Sequence, residues 1–300
     1  REIHDAGNGP LIARFEQEVD GVPVFLRTLN IAMDRNLQPT LASGQLAGKL
    51  RKVSDRFQLD ESVAVLCVEP VAANMGLVPA AEGFLDELRA ECDRVGALLL
   101  FDEVITGFRL GPGGATARFG VRPDLWTFGK VIGGGLPVGA FGASAEIMSH
   151  LAPLGGVYQA GTLSGNPLAT AAGLTVLEHL TPAAFAQLDA TAARLAIGLQ
   201  DAFDQAGVAA VVPRVGPLIG LFFGAEAPVD YDGAKRSVDL GCYPTFFHSM
   251  IDDGIALAPG PYEVLFPSLA HRDDDIDATL AAARRAAVAV AATLDGKDRP

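Results

Sequence analysis

The sequence is poor in the side chains that form disulfide bonds and bind metals. It has 3 cysteines and 5 histidines among 300 residues. Cys67, Cys92 and Cys242 are widely spaced within apolar segments, which is typical of reduced core thiols in a cytoplasmic protein. No pair of cysteines has the spacing of metal ligands and the histidines are scattered, so the sequence predicts no metal site.

The sequence is also short of positive charge. It has 23 lysine and arginine residues against 36 acidic residues, which makes the formal net charge −13. Nucleic acids and anionic membrane surfaces bind basic patches, so neither is a predicted partner. No apolar run reaches the roughly 18 residues that a membrane helix needs, and the charged, glycine-rich start of the chain predicts no signal peptide.

Apolar residues, by contrast, are plentiful. Hydrophobic residues make up 49% of the chain and charged residues only 20%, so 300 residues of this composition can bury a large core. We predict a large domain over 62–182 and a smaller α+β domain over 183–300. Residues 1–61 have no assigned function; their pattern predicts a strand over 22–31 and a basic helix over 46–57.

The large domain alternates between apolar runs and amphipathic segments. Apolar runs at 63–68 and 97–104 predict buried strands, and a further strand is predicted over 125–128. Between the first two of these strands, apolar residues recur on one face of a predicted helix over 83–95. A strand, a helix and a strand in this order imply parallel pairing. We therefore predict an α/β fold with a mostly parallel central sheet flanked by helices.

The same patterns predict the remaining elements. Strands are predicted over 137–143, 208–212 and 218–223, and helices over 145–151, 167–180, 183–206, 245–252 and 274–294. Asn166 lies where a residue that caps the helix over 167–180 is expected.

One lysine stands between a predicted strand and a row of glycines. Lys130 follows the strand over 125–128 and precedes Gly133-Gly134-Gly135. Partial burial against backbone would favour its uncharged amine, which is the form that attacks a carbonyl. Asp102 ends the neighbouring buried strand, and ligands bind outside the carboxyl ends of parallel strands. Pyridoxal phosphate requires such a pair, an amine for its aldehyde and an acid for its ring nitrogen.

Each of these features also has an ordinary structural explanation. A glycine-rich segment after a strand is most often a turn, and an aspartate at the end of a strand is often a helix cap. Three longer motifs favour the functional interpretation. Phe101–Arg109, Lys130–Gly139 and Tyr158–Pro167 together resemble the class III pyridoxal-phosphate aminotransferases, and most closely their glutamate-1-semialdehyde 2,1-aminomutase branch. The resemblance extends from about Ser62 to the end of the chain.

The resemblance implies a fold type I transferase and assigns roles to matching residues. Lys130 is expected to bind the cofactor covalently and to move protons, and Asp102 to pair with the ring nitrogen. Val104, two residues after Asp102, is expected to pack against the ring. Asn74 matches a family position near the phenolic oxygen of the cofactor. An asparagine that caps its own loop is the alternative for Asn74.

The resemblance also implies a homodimer with shared active sites. Gly161 and Thr162 match a segment that binds the phosphate of the cofactor held by the partner, for which a hydroxyl and backbone amides are suitable. The alternative is that Thr162 begins a turn before Asn166. Glu263 matches a glutamate of the aminomutases that faces the substrate, where it could control access or pair with Lys130; the alternative is a solvent-facing loop residue.

The implied reaction is an exchange of amino and carbonyl groups within one substrate. The cofactor would be pyridoxal 5′-phosphate, with a pyridoxamine 5′-phosphate form in the cycle, and the substrate an amino acid or an amino aldehyde. The alternatives are an intermolecular aminotransferase, an epimerase and an inactive scaffold. Members of the family carry a Ser-Gly-Thr-Glu-like loop and a stacking aromatic residue in their N-terminal part, and residues 1–61 contain neither. We therefore expect a fragment or a replaced N-terminal part, with reduced cofactor affinity.

Overall fold

The structure is a computed structural model of the chain. It describes residues 64–297 and four segments before them, Glu2–His4, Leu11–Val19, Val22–Met33 and Pro39–Gly44. The strand predicted over 22–31 is confirmed as part of the third of these segments. The helix predicted over 46–57 lies outside the described residues.

Strands and helices are numbered along the chain. The strands are β1 (Glu2–His4), β2 (Leu11–Val19), β3 (Val22–Met33), β4 (Pro39–Gly44), β5 (Val65–Val68), β6 (Val71–Ala72), β7 (Val78–Pro79), β8 (Leu98–Asp102), β9 (Leu125–Phe128), β10 (Ala140–Ala143), β11 (Ala210–Val211), β12 (Arg214–Val215), β13 (Leu218–Ile219) and β14 (Phe222–Phe223). The helices are α1 (Phe84–Val95), α2 (Gly114–Phe119), α3 (Ala145–Met148), α4 (Pro167–His179), α5 (Pro182–Ala206), α6 (Tyr231–Asp239), α7 (Tyr243–Asp252) and α8 (Asp273–Lys297). We call the short 3-10 helix Lys130–Gly133 the lysine turn.

The chain divides into two compact units. Unit 1 consists of Arg1–Pro70 and Ala80–His179, and unit 2 of Val71–Pro79 and Leu180–Pro300. The sequence patterns placed residues 71–79 in the large domain, whereas the structure groups them with unit 2. The reason is local packing, because this segment donates a backbone hydrogen bond to the Tyr262 carbonyl at 2.7 Å and buries two apolar side chains in unit 2.

Unit 1 is built on one mixed sheet. Its strand order is β1-β2-β3-β4-β5-β8-β9-β10. The pair β5–β8 is parallel, as the strand-helix-strand pattern predicted. The pairs β4–β5 and β8–β9 are also parallel, and the pairs at both ends of the sheet are antiparallel. The register places Asp102 beside Thr127, so β8 and β9 end at the same edge of the sheet.

Helix α1 forms where its amphipathic pattern predicted it. Glycines in the left-handed conformation lie at both of its ends, and Leu85, Leu88 and Cys92 on its inner face pack into the core with β5 and β8. On its outer side, Arg89 donates to the Asp124 carboxylate at 2.7 Å, which also accepts the Leu99 backbone N–H at 2.7 Å. The start of β8 is thereby bonded to the residue that precedes β9.

Unit 2 is an α+β structure with a large apolar core. Helix α5 begins at Pro182, with the Thr181 hydroxyl accepting the Ala184 N–H at 3.2 Å, and α5, α7 and α8 pack around the core. Phe203, Phe223 and Phe246 form a cluster of ring contacts at its centre. The strand predicted over 218–223 is divided into β13 and β14, because the first pairs with β12 and the second with β11.

Two helices, α2 and α6, were not predicted from the sequence. Helix α2 has only 6 residues, which is too short for a hydrophobic period to be recognised. Helix α6 has 9 residues and is capped by Asp230, whose carboxylate accepts the Gly233 N–H at 2.7 Å. Among the described residues, no helix has the length and apolar character needed to cross a membrane.

Candidate active site

The lysine turn begins directly after β9. Lys130 adopts a left-handed backbone conformation with φ of 48°, which is uncommon for a residue other than glycine and is often found at functional sites. The expectation that Lys130 is partly buried is wrong, because the structure exposes its side chain. The reason is tertiary, since the elements that come to lie around the lysine turn do not cover this side chain.

Helix α4 holds the lysine turn from the other side by close backbone packing. A Cβ atom placed on Gly173 would overlap the carbonyl oxygen of Ile132, and a Cβ atom on Gly134 would overlap the carbonyl of Ala172. Gly134 also has φ of +58°, a conformation that favours glycine. The glycines therefore fix the position of the lysine turn against α4.

Asp102 lies at the same edge of the sheet as the lysine turn. It is the last residue of β8, it is half-buried, and it stands in register with Thr127 of β9. Its Oδ1 accepts the Val104 backbone N–H at 3.0 Å. Lys130 follows three residues after Thr127, so the structure brings the predicted amine and the predicted carboxylate to the ends of two adjacent parallel strands.

Val104 lies in the turn after β8 and not in the strand itself. The strand predicted over 97–104 therefore ends earlier, and strand alternation does not decide where the Val104 side chain points. The side chain approaches the residue before the catalytic candidate, since a Cβ on Gly129 would lie 3.2 Å from Val104 Cγ1. Its role toward a cofactor stays a prediction.

Two carboxylates, those of Asp102 and Glu69, also lie near the Cys67 thiol. The pKa of the Cys67 thiol is raised to about 11, first by burial and then by the nearby Asp102 and Glu69 carboxylates. Below that pH the thiol stays neutral. Cys67 therefore adds no charge of its own beside Asp102 at neutral pH.

Gly161 and Thr162 lie in an exposed turn that leads into α4. The Ser164 N–H donates to the Gly161 carbonyl at 2.9 Å. The Asn166 side chain then accepts the N–H groups of Leu168 and Ala169 at 3.1 and 3.2 Å, which confirms the predicted helix cap. Thr162 does lie in a turn before Asn166, and this position leaves its predicted phosphate contact untested.

A cavity of about 710 Å³ lies in unit 1 between this turn and strands β9 and β10. Its lining is uncharged and combines backbone, hydroxyl and amide groups with apolar side chains. It includes Thr127, Phe128, Pro137, Val138, Gly139, Ala140, Phe141, Gln159, Gly161, Leu163, Ser164, Gly165, Asn166 and Thr170.

Asn74 and Glu263 belong to unit 2. Asn74 is exposed between the buried residues Ala73 and Met75. Glu263 is exposed, and its N–H donates to the Gly260 carbonyl at 3.3 Å. The pKa of Tyr243 is raised to about 12, first by burial and then by the Glu263 charge. The predicted roles of Asn74 and Glu263 stay predictions.

Sequence reasoning missed Glu103, which follows Asp102 and is only 1% exposed. From the sequence alone, a glutamate that follows an apolar strand looks the same as a solvent-facing residue at the end of a strand. The sequence contains no signal that marks it as buried, because Glu103 lies just after β8, where strand alternation no longer decides the direction of a side chain.

The chain belongs to the class-III aminotransferases, since the family model matches residues 16–286. Members of this family depend on pyridoxal phosphate, and the family predicted from the three sequence motifs is confirmed. A glutamate-1-semialdehyde 2,1-aminomutase from Desulforapulum autotrophicum is 52% identical over 224 residues, which cover 74% of this chain and 52% of the relative. The chain thus spans about half the length of that relative.

Solved structures confirm the fold type I architecture. An omega-transaminase from Sphaerobacter thermophilus superimposes with a TM-score of 0.70 and 33% identity, over 75% of this chain and 52% of that one. A glutamate-1-semialdehyde-aminomutase from Pseudomonas aeruginosa PAO1 gives a TM-score of 0.67 and 26% identity, over 77% of this chain and 53% of that one. This chain therefore also spans about half the length of each of these two solved chains.

The donor groups of unit 1 fit pyridoxal phosphate. An exposed primary amine and a half-buried carboxylate lie at the ends of adjacent parallel strands, which is the edge where ligands of such sheets bind. Gly129 and Gly134, which directly precede and follow the lysine turn, let Val104 and Ala172 approach closely. Gly161 and Thr162 offer the neutral donors that suit a phosphate group.

Proposed function

We propose that the protein is a pyridoxal-phosphate-dependent aminomutase that converts glutamate-1-semialdehyde to 5-aminolevulinate, the precursor of tetrapyrroles. The observation that carries the proposal is the 52% identity to the Desulforapulum aminomutase, which extends over 74% of this chain. The position of Lys130 and Asp102 at one edge of the sheet supports the cofactor assignment.

The residues of this chain would divide the work between them. When bound, the cofactor supplies an electron sink for the carbon that carries the amino group. Asp102 would keep the ring nitrogen protonated, because a carboxylate stabilises a neighbouring positive charge. Lys130 would hold the cofactor and move a proton at the reacting carbon through its Nζ. Asn74 and Glu263 would act at the phenolic oxygen and at the substrate entrance.

We also propose that the active form is a homodimer in which Gly161 and Thr162 bind the phosphate in the site of the partner. Support comes from what we call the exposed apolar stretch, a set of large apolar side chains within 39 residues that surrounds these two. It consists of Leu136, Phe141, Leu154, Val157, Tyr158, Leu163, Leu168 and Leu174, which are between 42% and 82% exposed. Exposed apolar side chains at this density along the chain support a proposed interface, because large apolar surfaces are usually covered by a partner.

A cytoplasmic location is part of the same proposal. Its support is that Cys67, Cys92 and Cys242 are all free thiols, which is typical of a reducing compartment.

An intermolecular aminotransferase is the second candidate. The specific observation in its favour is that the omega-transaminase structure is 33% identical to the chain, against 26% for the aminomutase structure. An epimerase has no such support. An inactive scaffold has no such support either.

The deciding experiment measures both activities on the purified protein with added pyridoxal phosphate. We expect 5-aminolevulinate to form from glutamate-1-semialdehyde without amino transfer to pyruvate or 2-oxoglutarate. Transfer without 5-aminolevulinate would favour the second candidate. Lys130→Ala should abolish activity and borohydride fixation of the cofactor, whereas Lys235→Ala, which removes an exposed lysine paired with Asp239, should leave both intact. Cofactor binding without either activity would favour the inactive scaffold.

A further inference from the structure

Glu103 is a buried carboxylate that the proposed chemistry does not use. It follows Asp102 directly, and it is 1% exposed. Burying a carboxylate is unfavourable unless its oxygens are satisfied by hydrogen bonds. Residues 102 and 103 therefore present carboxylates in two different environments, one half-buried at the candidate site and one enclosed.

The Glu103 carboxylate accepts four hydrogen bonds. Its Oε2 accepts the Ala115 backbone N–H at 2.7 Å and the Thr106 hydroxyl at 3.0 Å. Its Oε1 accepts the Thr116 backbone N–H at 3.0 Å and the Thr116 hydroxyl at 2.9 Å. Four donors match the acceptor capacity of an ionised carboxylate. The group is therefore fully engaged within the fold.

The surrounding backbone is shaped to reach this carboxylate. Helix α2 has no hydrogen bond from a side chain of its N-cap residue, and Glu103 instead accepts two N–H groups of the first turn, those of Ala115 and Thr116. Gly114 has φ of +56°, and a Cβ on it would overlap the Glu103 carboxylate. The Thr116 hydroxyl in turn accepts the indole N–H of Trp126, a residue of β9, at 2.8 Å.

The same residue ties the end of β8 on its main chain. The Glu103 N–H donates to the Thr127 carbonyl at 3.0 Å, and its carbonyl accepts the Gly107 N–H at 2.8 Å. Both its side chain and its backbone are thus bonded to neighbouring elements. These bonds restrict the movement of Asp102, which is one residue earlier.

We propose that Glu103 is a positioning residue that locks the end of β8 and thereby orients the Asp102 carboxylate toward the cofactor ring nitrogen. The inference rests on the proposed function, because it requires pyridoxal phosphate at this edge of the sheet. Anchoring of this kind affects function because partners of a binding group set its orientation, and their loss typically weakens binding about 10-fold to 100-fold in metal sites.

The test compares Glu103→Gln with Asp124→Asn. The first replaces one acceptor oxygen by an amide that faces N–H donors. The second is the matched control, since Asp124 also accepts a backbone N–H, that of Leu99, but at the opposite end of β8 and β9. Trp126 is the single tryptophan of the chain, and quenching of its fluorescence by pyridoxal phosphate reports binding.

We expect Glu103→Gln to raise the dissociation constant of pyridoxal phosphate by about 10-fold or more, by the same analogy with metal sites. The 15N resonance of the labelled ring nitrogen should also move toward its unprotonated position. Asp124→Asn should lower the urea midpoint about as much as Glu103→Gln does. It should leave the dissociation constant of pyridoxal phosphate and the 15N resonance unchanged. Thr106→Val removes a single donor to Glu103 and should change the dissociation constant in the same direction by a smaller factor. This variant tests the proposal even when Glu103→Gln fails to fold.

Two results would overturn the proposal in distinguishable ways. If the unaltered protein binds pyridoxal phosphate and neither Glu103→Gln nor Thr106→Val changes the dissociation constant or the 15N resonance, Glu103 is only structural. If the unaltered protein does not bind pyridoxal phosphate, the proposed function itself fails, and the role of Glu103 fails with it.

Discussion

Phe203 and Tyr158 are both large aromatic side chains, yet they have opposite surroundings. Phe203 is 0% exposed in the core of unit 2, where it contacts two other phenylalanine rings. Tyr158 is 82% exposed in unit 1, within the exposed apolar stretch. Unit 2 also has exposed apolar side chains, but they are spread from Ile197 to Val288. Singly exposed apolar side chains are normal for any protein surface. The exposed apolar stretch differs from those of unit 2 in its density along the chain.

Apolar side chains have different roles in the two units. In unit 2 it joins helices that are distant in sequence, because α5, α7 and α8 share one core. In unit 1 the inner side of α4 packs backbone against backbone on the lysine turn, while its outer side exposes Leu168 and Leu174. The first arrangement forms a core, whereas the second leaves Leu168 and Leu174 exposed.

The largest effect is expected from Phe203→Ala. Removing a fully buried phenylalanine leaves a cavity, and such a change costs about 3–5 kcal/mol. Urea denaturation followed by circular dichroism measures the loss in free energy of unfolding. Leu168→Ala is the matched control at 73% exposure, and it should change stability by no more than about 0.5 kcal/mol. Equal losses for both variants would contradict the assignment of core and surface.

An intermediate effect is expected from Gly173→Ala in α4. Helix propensity alone predicts a gain of about 1 kcal/mol for this change. The overlap with the Ile132 carbonyl predicts instead a loss of about 1–3 kcal/mol, because backbone atoms cannot move aside. Denaturation by urea again decides between the two signs.

Gly198→Ala in α5 is the control for this change. A Cβ there would meet the methyl groups of Leu280, which can shift, so the substitution should be nearly neutral. A stabilised Gly173→Ala variant would show that α4 does not press on the lysine turn.

The smallest effect on stability, and the clearest on association, is expected from Tyr158→Asp. A charge at an exposed site hardly alters folding, but two copies of it in a symmetric interface repel each other. The dissociation constant of the proposed homodimer should rise by about 10-fold or more, the equivalent of about 1.4 kcal/mol. Sedimentation velocity over a concentration series measures it. Val288→Asp, at a 62% exposed position of unit 2, should leave it unchanged; a shift there and none for Tyr158→Asp would place the interface elsewhere.

Much of this protein was determined by local sequence alone. Helices α1, α4, α5 and α8 follow their apolar periodicity and caps, as Asn166 and Thr181 show for α4 and α5. Strands β5, β8 and β9 follow their apolar runs, and the family follows from motifs around Asp102 and Lys130. Such features depend on neighbours within a few residues, so a linear pattern contains them.

Other features were decided only by tertiary structure. Residues 71–79 belong to unit 2 because of contacts with residues more than 100 positions away, which no local pattern records. The exposure of Lys130 and the burial of Glu103 likewise depend on which elements come to lie around them. Glu103 is stable inside because α2 supplies two N–H donors and two threonines supply hydroxyls. A charged side chain is buried only where the fold brings enough donors together, and that number is a property of three-dimensional packing.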